Sequence, residues 1–343
     1  MQKVYLFFAL CLLSSTYSLS QKKLDSVAIS GYLDLYYAKD FRNPSVNSNS
    51  LFVSSNQYNK LSVNFAYLSL GFFKKDYYLQ FTPAFGTYMD ANYANESKGT
   101  RWIFESYVGK NMHGKKFKQL DAGIFSSPYT QETAISGQQL MYSRSLSAEY
   151  TPYYLSGLRA NFKVSDKLSW SAYLVNGYQH LPSKKYLPAF GSLLHWTPKK
   201  LILNWSLYLG NEQTKLDKSK TWRLFNEVNV ERSWGKLKFQ SCGYLGLQVL
   251  DNKLTQWWQI NSILAYDILP SFSVNARLEY FRDVSEIMIN QFYDNHGFHF
   301  IGTSMGIKYK LNESFSIGSE AKLLHNKAGL NSVIGTLFLQ AKF

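Results

Sequence analysis

Four histidines, His180, His195, His296 and His299, stand where general-base or metal chemistry would begin. An imidazole can take a proton near neutral pH or ligate a metal. "HGFH" at 296–299 is the densest group, two histidines three apart with Asp294 close by. No cysteine or second acid stands at ligand spacing beside them, so no metal and no cofactor is expected. A hydrolase would need a nucleophile in reach of a base that a third group holds in place. The chain has no Gly-x-Ser-x-Gly, no His-Glu-x-x-His and no phosphate loop. No catalytic residue is expected. A site assembled from distant strands is the enzyme alternative.

A second set of charged residues is more regular. Asp34, Glu105, Asp121, Arg159, Lys163, Arg223, Glu227, Arg277, Glu279 and Glu320 alternate with apolar neighbours. In 271–282, Phe272, Val274, Ala276, Leu278 and Tyr280 fall on one face, and Ser273, Asn275, Arg277, Glu279 and Phe281 on the other. In 153–164, Leu158, Ala160 and Phe162 oppose Arg159, Asn161 and Lys163. A period of two is that of a strand. Burying the polar face unpaired would cost a few kcal/mol per group, so that face needs water or partners.

The elements that carry these residues repeat along the whole chain. Strands are expected at 27–37, 60–73, 76–88, 101–111, 117–125, 153–164, 167–178, 188–197, 200–210, 221–233, 236–249, 254–268, 271–282, 298–310, 313–325 and 331–343. No helical period of any length appears. Short turns such as "KKD" at 74–76, "TPKK" at 197–200 and "WGK" at 234–236 alternate with longer links at 38–59, 89–100, 126–152, 179–187, 211–220, 250–253, 283–297 and 326–330. About sixteen strands, an even number with short turns on one side and long loops on the other, is the pattern of an outer-membrane barrel. The fold class expected is therefore all-β, a transmembrane antiparallel up-and-down β-barrel. Both ends then lie on the short-turn, periplasmic side.

Residues 1–20 stand apart. Lys3, the apolar "VYLFFALCLL" and the small Ser18 and Ser20 read as a secretory signal peptide cleaved before Gln21. Residues 21–343 form one domain. Of the two cysteines, Cys11 lies in that leader, so Cys242 has no disulfide partner in the mature chain. Losing Lys3 lowers the formal charge from +14 to +13. An exported chain with its Lys and Arg dispersed is not expected to bind nucleic acid, and the charge reads as surface and lumen chemistry leaning to anions. Aromatic content is high at 17%, with Tyr 26, Phe 24 and Trp 8. Tyr36, Tyr37, Phe72, Phe73, Tyr77, Tyr78, Tyr153, Tyr154, Trp196, Trp234, Trp257 and Trp258 gather near strand ends, as interfacial girdles do. Mean hydropathy is only -0.24, which a barrel tolerates because its two faces alternate.

Several stretches resemble the OmpL-like β-barrel porin family of Bacteroidota. "ISGYLDLYYAKDF" at 29–41 resembles that family's opening strand, and "GTYMDANYA" at 86–94 the end of its third. The fullest likeness is "DAGIFSSPYTQETAISGQQLMYSRSLSAEYTPYYLSG" at 121–157, continued by "LVNGYQ" at 174–179 and "PAFGSLLHWTP" at 188–198. The resemblance implies an outer-membrane porin. The terminal Phe343, on an alternating strand, also resembles the signal that barrel-assembly machinery reads. The partners expected are outer-membrane lipid, that machinery and small hydrophilic solutes, and a homotrimer is one assembly open to the chain.

A barrel of this size leaves an aqueous channel. Its selectivity would come from charged rings and an inward loop. The link 126–152, with Glu132, Arg144, Glu149 and the flexible Gly137, is the candidate constriction. The ten alternating charges named above are the other pore-lining candidates. The link 38–59, rich in Asn and Ser, is expected to be an exposed, solvated loop, and a plugged barrel that binds partners through such loops is the alternative to a diffusion pore.

Overall fold

The computed structural model describes residues 24–181, 188–213, 220–250, 252–289, 297–326 and 331–343. The leader at 1–20 lies outside the described residues, as do His296 and Asp294. Sixteen strands form one closed antiparallel barrel. In chain order they are β1 Ser26–Asp40, β2 Leu61–Lys74, β3 Tyr77–Phe85, β4 Ile103–Asn111, β5 Phe117–Ser126, β6 Tyr154–Lys163, β7 Leu168–Val175, β8 Ala189–Trp196, β9 Leu201–Gln213, β10 Lys220–Trp234, β11 Leu237–Leu250, β12 Lys253–Leu269, β13 Phe272–Asp283, β14 Phe298–Lys310, β15 Phe315–Asn326 and β16 Asn331–Lys342. Among the described residues two short α-helices, α1 (Thr87–Asn92) and α2 (Leu146–Glu149), lie in the long loops.

Each strand pairs with its neighbours in sequence, and β1 closes the ring on β16 from Tyr32↔Lys342 to Asp40↔Ile334. Lipid offers no hydrogen bonds to an open sheet edge, so a spanning sheet must close. Phe343 takes part in the seam: its N–H donates to the Gly31 carbonyl at 3.1 Å, and the Gly31 N–H returns a bond to the Phe343 carbonyl at 2.8 Å. Gly31 also leaves room for the terminal ring, since a Cβ there would come within 2.2 Å of it.

The alternation read from the sequence sets the two faces. On β13, Leu278 is exposed on the outer wall while Arg277, Glu279 and Phe281 are buried inside. On β16, Leu337 and Leu339 point outward, and Ile334, Phe338 and Gln340 inward. The strand expected at 76–88 ends three residues early. Gly86 turns the chain at φ 125° into α1, and a Cβ there would lie 2.5 Å from the Asn64 carbonyl oxygen. The expected absence of helix therefore fails at this loop.

The girdle reading holds for only part of its aromatic set. Tyr37, Tyr77, Trp196 and Trp234 are exposed, but Tyr36, Tyr153, Tyr154 and Trp257 are buried inside. Adjacent residues on a strand face opposite ways, so pairs such as 36/37 and 257/258 cannot both face lipid. The inner aromatics form a packed layer, in which Tyr208, Phe225, Tyr244, Phe281 and Phe298 from the wall meet Tyr129 and Tyr178 from the loops. The link 38–59 joins this layer through buried Leu51, Phe52 and Tyr58, and so is less solvated than its Asn and Ser content predicts.

Candidate functional site

The long loop between β5 and β6, residues 127–153, folds into the barrel. Its backbone is docked on the arc from β10 to β15 by wall side chains. Glu227 accepts the Thr130 N–H at 2.7 and 2.9 Å. Glu279 accepts the Leu146 N–H at 2.6 Å. Glu320 accepts those of Tyr142 and Ser143 at 3.0 and 2.9 Å, and also the Ser143 hydroxyl. Cations take the carbonyls: Arg277 donates to Ser143 O at 2.7 Å, and Lys322 Nζ to Arg144 O at 2.6 Å. Asn275 Nδ2 donates to Leu140 O at 2.7 Å. The Tyr142 ring stacks on Phe338 of β16 with centroids 4.3 Å apart.

Arg277 is the centre of this dock. Its guanidinium lies 3.1 Å from Glu132 and 3.5 Å from each of Glu279 and Glu320, and donates to Ser304 Oγ at 3.0 Å. All four charged side chains are almost fully buried. Three carboxylates around one guanidinium are made tolerable by the loop N–H groups that each also accepts, since an uncompensated buried charge is strongly destabilising; Arg277 Nε and Glu279 Oε1, 3.5 Å apart, make no hydrogen bond. Glu132 is a loop residue and folds back on its own loop, accepting the Ser145 N–H at 3.0 and 3.1 Å. Arg144 does the same. It is fully buried and donates to Thr133 O at 2.8 Å, to Ser136 Oγ at 2.6 Å and to Ala134 O. On β1, Asp34 accepts from Ser136 Oγ at 2.9 Å and from Asn64 Nδ2 at 2.8 Å.

The remaining candidates lie elsewhere. Arg159 donates from Nη2 and Nε to one oxygen of Asp121, Oδ2, at 2.7 and 2.8 Å, and the guanidinium lies over the rings of Phe125 and Tyr107. Glu105 accepts from Ser126 Oγ at 2.6 Å, at the root of the inward loop. Glu149 accepts the Val53 N–H at 2.6 Å and so joins the inward loop to the loop after β1. Arg223 lies over both Tyr178 and Trp257, with its Nε on Gln248 Oε1 at 2.9 Å. Lys163 is exposed at the turn side, 2.6 Å from Asp166, whose carboxyl it holds below the usual range. The three described histidines of the four have separate partners: His180 meets Glu212 at 3.2 Å, His195 meets Asn204 at 2.6 Å, and His299 meets Tyr280 at 3.4 Å. Among the described residues no group of three or more His, Cys, Asp or Glu could hold a metal ion.

Lys322 and Asn275 dock the loop but do not stand among the sequence candidates, nor do Lys238, Lys308, Lys310 and Lys342. All share the inward parity of charges that are among them, such as Glu320 and Arg277. Parity alone would have found them.

A closed even-stranded barrel, apolar outside and charged inside, with a long loop folded into its lumen, defines the class of outer-membrane porins. The chain belongs to the family described as "Putative beta-barrel porin-2, OmpL-like", which matches residues 26–335. Among solved structures it is similar to the outer membrane channel DcaP of Acinetobacter baumannii, at 13% identity and TM-score 0.63, over 93% of this chain and 97% of that one. It is also similar to an anion-selective porin from Comamonas acidovorans, at 9% identity and TM-score 0.63, over 93% and 99%. Outer-membrane expressed OmpT of Vibrio cholerae aligns at 10% identity and TM-score 0.62, over 94% and 100%. These likenesses are of fold. No curated protein sequence matches the chain. The protein is an outer-membrane porin.

Proposed function

We propose that this porin passes small hydrophilic solutes by passive diffusion, between the docked loop and the opposite wall, and carries out no chemistry. The carrying observation is the uneven dock: the wall from β10 through β16 to β1 holds the loop, while on β4 to β9 a set of inward polar residues keeps partial exposure beside the buried Asp121, Phe125, Tyr173 and Tyr208. Tyr107, Arg159, Asn161, Ser171, His195 and Asn204 are all half-buried on that side. Paired side chains there give a polar lining with little net charge.

The wall charges of the dock are buried and engaged with one another and with loop backbone, so the exposed charges at the mouth weigh more in ion choice. At the short-turn mouth, inward-facing Lys308 and Lys310 on β14 and Lys342 on β16 lie in one basic field with Lys238 of β11. Asp267 answers Lys238 at 2.8 Å, while no ion pair among the described residues involves the other three. This supports a modest anion preference. Export with loss of residues 1–20, assembly through Phe343 and a homotrimer complete the proposal. OmpT of Vibrio cholerae is described in a trimer form.

The test is single-channel conductance of residues 21–343 in a planar lipid bilayer. Stable steps of porin size are expected. A folded, heat-modifiable barrel that stays silent would overturn the diffusion reading and leave the plugged, partner-binding one.

A further inference from the structure

The outer wall carries two apolar grooves towards the short-turn end. One lies between β11 and β15, has a volume of about 530 Å³, and has no charged residue in its lining. The other, about 680 Å³, runs across β2 to β6. Its shape follows from pairing. Ala122 of β5 stands between Val108 of β4 and Leu158 of β6, so a small floor lies between two branched walls. Leu79 and Leu120 continue those walls, and all four walls are exposed. A volume of this size lies within the range of about 300–1,000 Å³ that holds drug-sized ligands.

The rim separates the two grooves. Lys74 and Lys110 line the second, and the Lys110 ammonium lies 5.0 Å from the Tyr77 ring centroid. The adjoining turns add exposed Lys75, Lys115, Lys116 and Lys118. The acids nearby are fewer: Asp76 meets His113 at 2.9 Å, Asp25 accepts the Lys75 N–H at 2.5 Å, and Asp121, also in the lining, is paired with Arg159 on the lumen side at 2.7 Å. An apolar trough within the membrane, ending in ammonium groups at its periplasmic surface, matches one chemistry: acyl chain below, phosphate above.

We propose that the β2–β6 groove is a binding site for an anionic phospholipid of the periplasmic leaflet. An acyl chain lies over Ala122, and the phosphate is held by Lys74 and Lys110. A second copy of the chain is the weaker occupant, because packing copies here would bring like-charged rims together. Basic residues at a membrane surface contribute about 1 kcal/mol each towards anionic lipid. Losing two should therefore weaken binding about thirtyfold.

Native mass spectrometry of the detergent-purified full barrel, titrated with phosphatidylglycerol or phosphatidylcholine, reads this directly. The wild type should retain phosphatidylglycerol in preference to phosphatidylcholine. Lys74→Gln with Lys110→Gln should lose that preference, and Lys74→Arg with Lys110→Arg should keep it. Ala122→Leu, which fills the floor from the lipid side, should reduce retention of both lipids. Heat-modifiability on a gel checks that each variant is folded. Equal retention of the two lipids by wild type, or retention unchanged in the glutamine and leucine variants, would overturn the proposal. So would variants that dissociate an oligomer while leaving lipid retention intact. The outcome does not depend on conduction, so a silent barrel would leave it standing.

Discussion

Replacing Arg277 with methionine removes the cation at the centre of the dock while keeping much of its volume. The guanidinium lies within 3.5 Å of Glu132, Glu279 and Glu320, and donates to the Ser143 carbonyl and hydroxyl at 2.7 and 2.9 Å. Removing one partner from a buried ionic cluster costs about 3–5 kcal/mol. The ladders between β12, β13 and β14 do not involve this side chain, so the cost falls on the docked position of loop 127–153. At about 1.4 kcal/mol per decade, undocked excursions should become at least a hundredfold more frequent. In single-channel recordings that appears as flicker to a higher conductance level. Limited trypsin treatment should cut the loop faster, while heat-modifiability of the barrel persists. Arg277→Lys, which keeps the charge but loses the planar fork, should fall between. Noise and protease resistance identical to wild type in the methionine variant would refute the dock.

Three further outcomes are expected. Lys308→Glu with Lys310→Glu and Lys342→Glu should move the zero-current potential in a salt gradient towards cation preference, whereas Arg159→Ala should leave its sign unchanged. Gly86→Ala should lower stability by about 1–3 kcal/mol, because a non-glycine residue at φ 125° is strained, and urea unfolding of the refolded barrel measures it. Phe343→Ala should reduce the amount of folded barrel recovered from outer membranes but not from refolding in detergent. Equal loss in both would place the effect in the Gly31 seam instead of in assembly.

Period two made the wall legible. β14 runs over 298–310 as expected, and most other strands agree to within one to three residues, because lipid and lumen select opposite side chains at every step. The early end of the strand expected at 76–88 is instructive. The alternation continues past Phe85, but Gly86 redirects the backbone, and nothing in the alternation marks that. The dock was only half legible. Glu227, Arg277, Glu279 and Glu320 stand out as inward charges, and Glu132 and Arg144 as loop charges. That the first four hold loop backbone, while Arg144 staples its own loop, depends on contacts as far apart in sequence as Glu320 and Tyr142. Composition misled at 38–59, where Leu51, Phe52 and Tyr58 outweigh the polar residues around them by packing into the lumen.

The dock grips main chain. Thr130, Tyr142, Ser143 and Leu146 are held by their N–H groups, and Leu140, Ser143 and Arg144 by their carbonyls. Proline is therefore excluded at the four N–H donors. Of the exposed loop residues Thr133, Gly137 and Gln138, Gly137 is held too, its N–H on the Tyr32 hydroxyl at 2.9 Å and its Cα facing the Tyr32 ring, whereas the side chains of Thr133 and Gln138 take no part in the grip. The proposed constriction could thus be re-lined at Thr133 and Gln138, with charge, bulk or a reactive thiol, while the wall keeps the loop seated, making the barrel a frame with an exchangeable diaphragm.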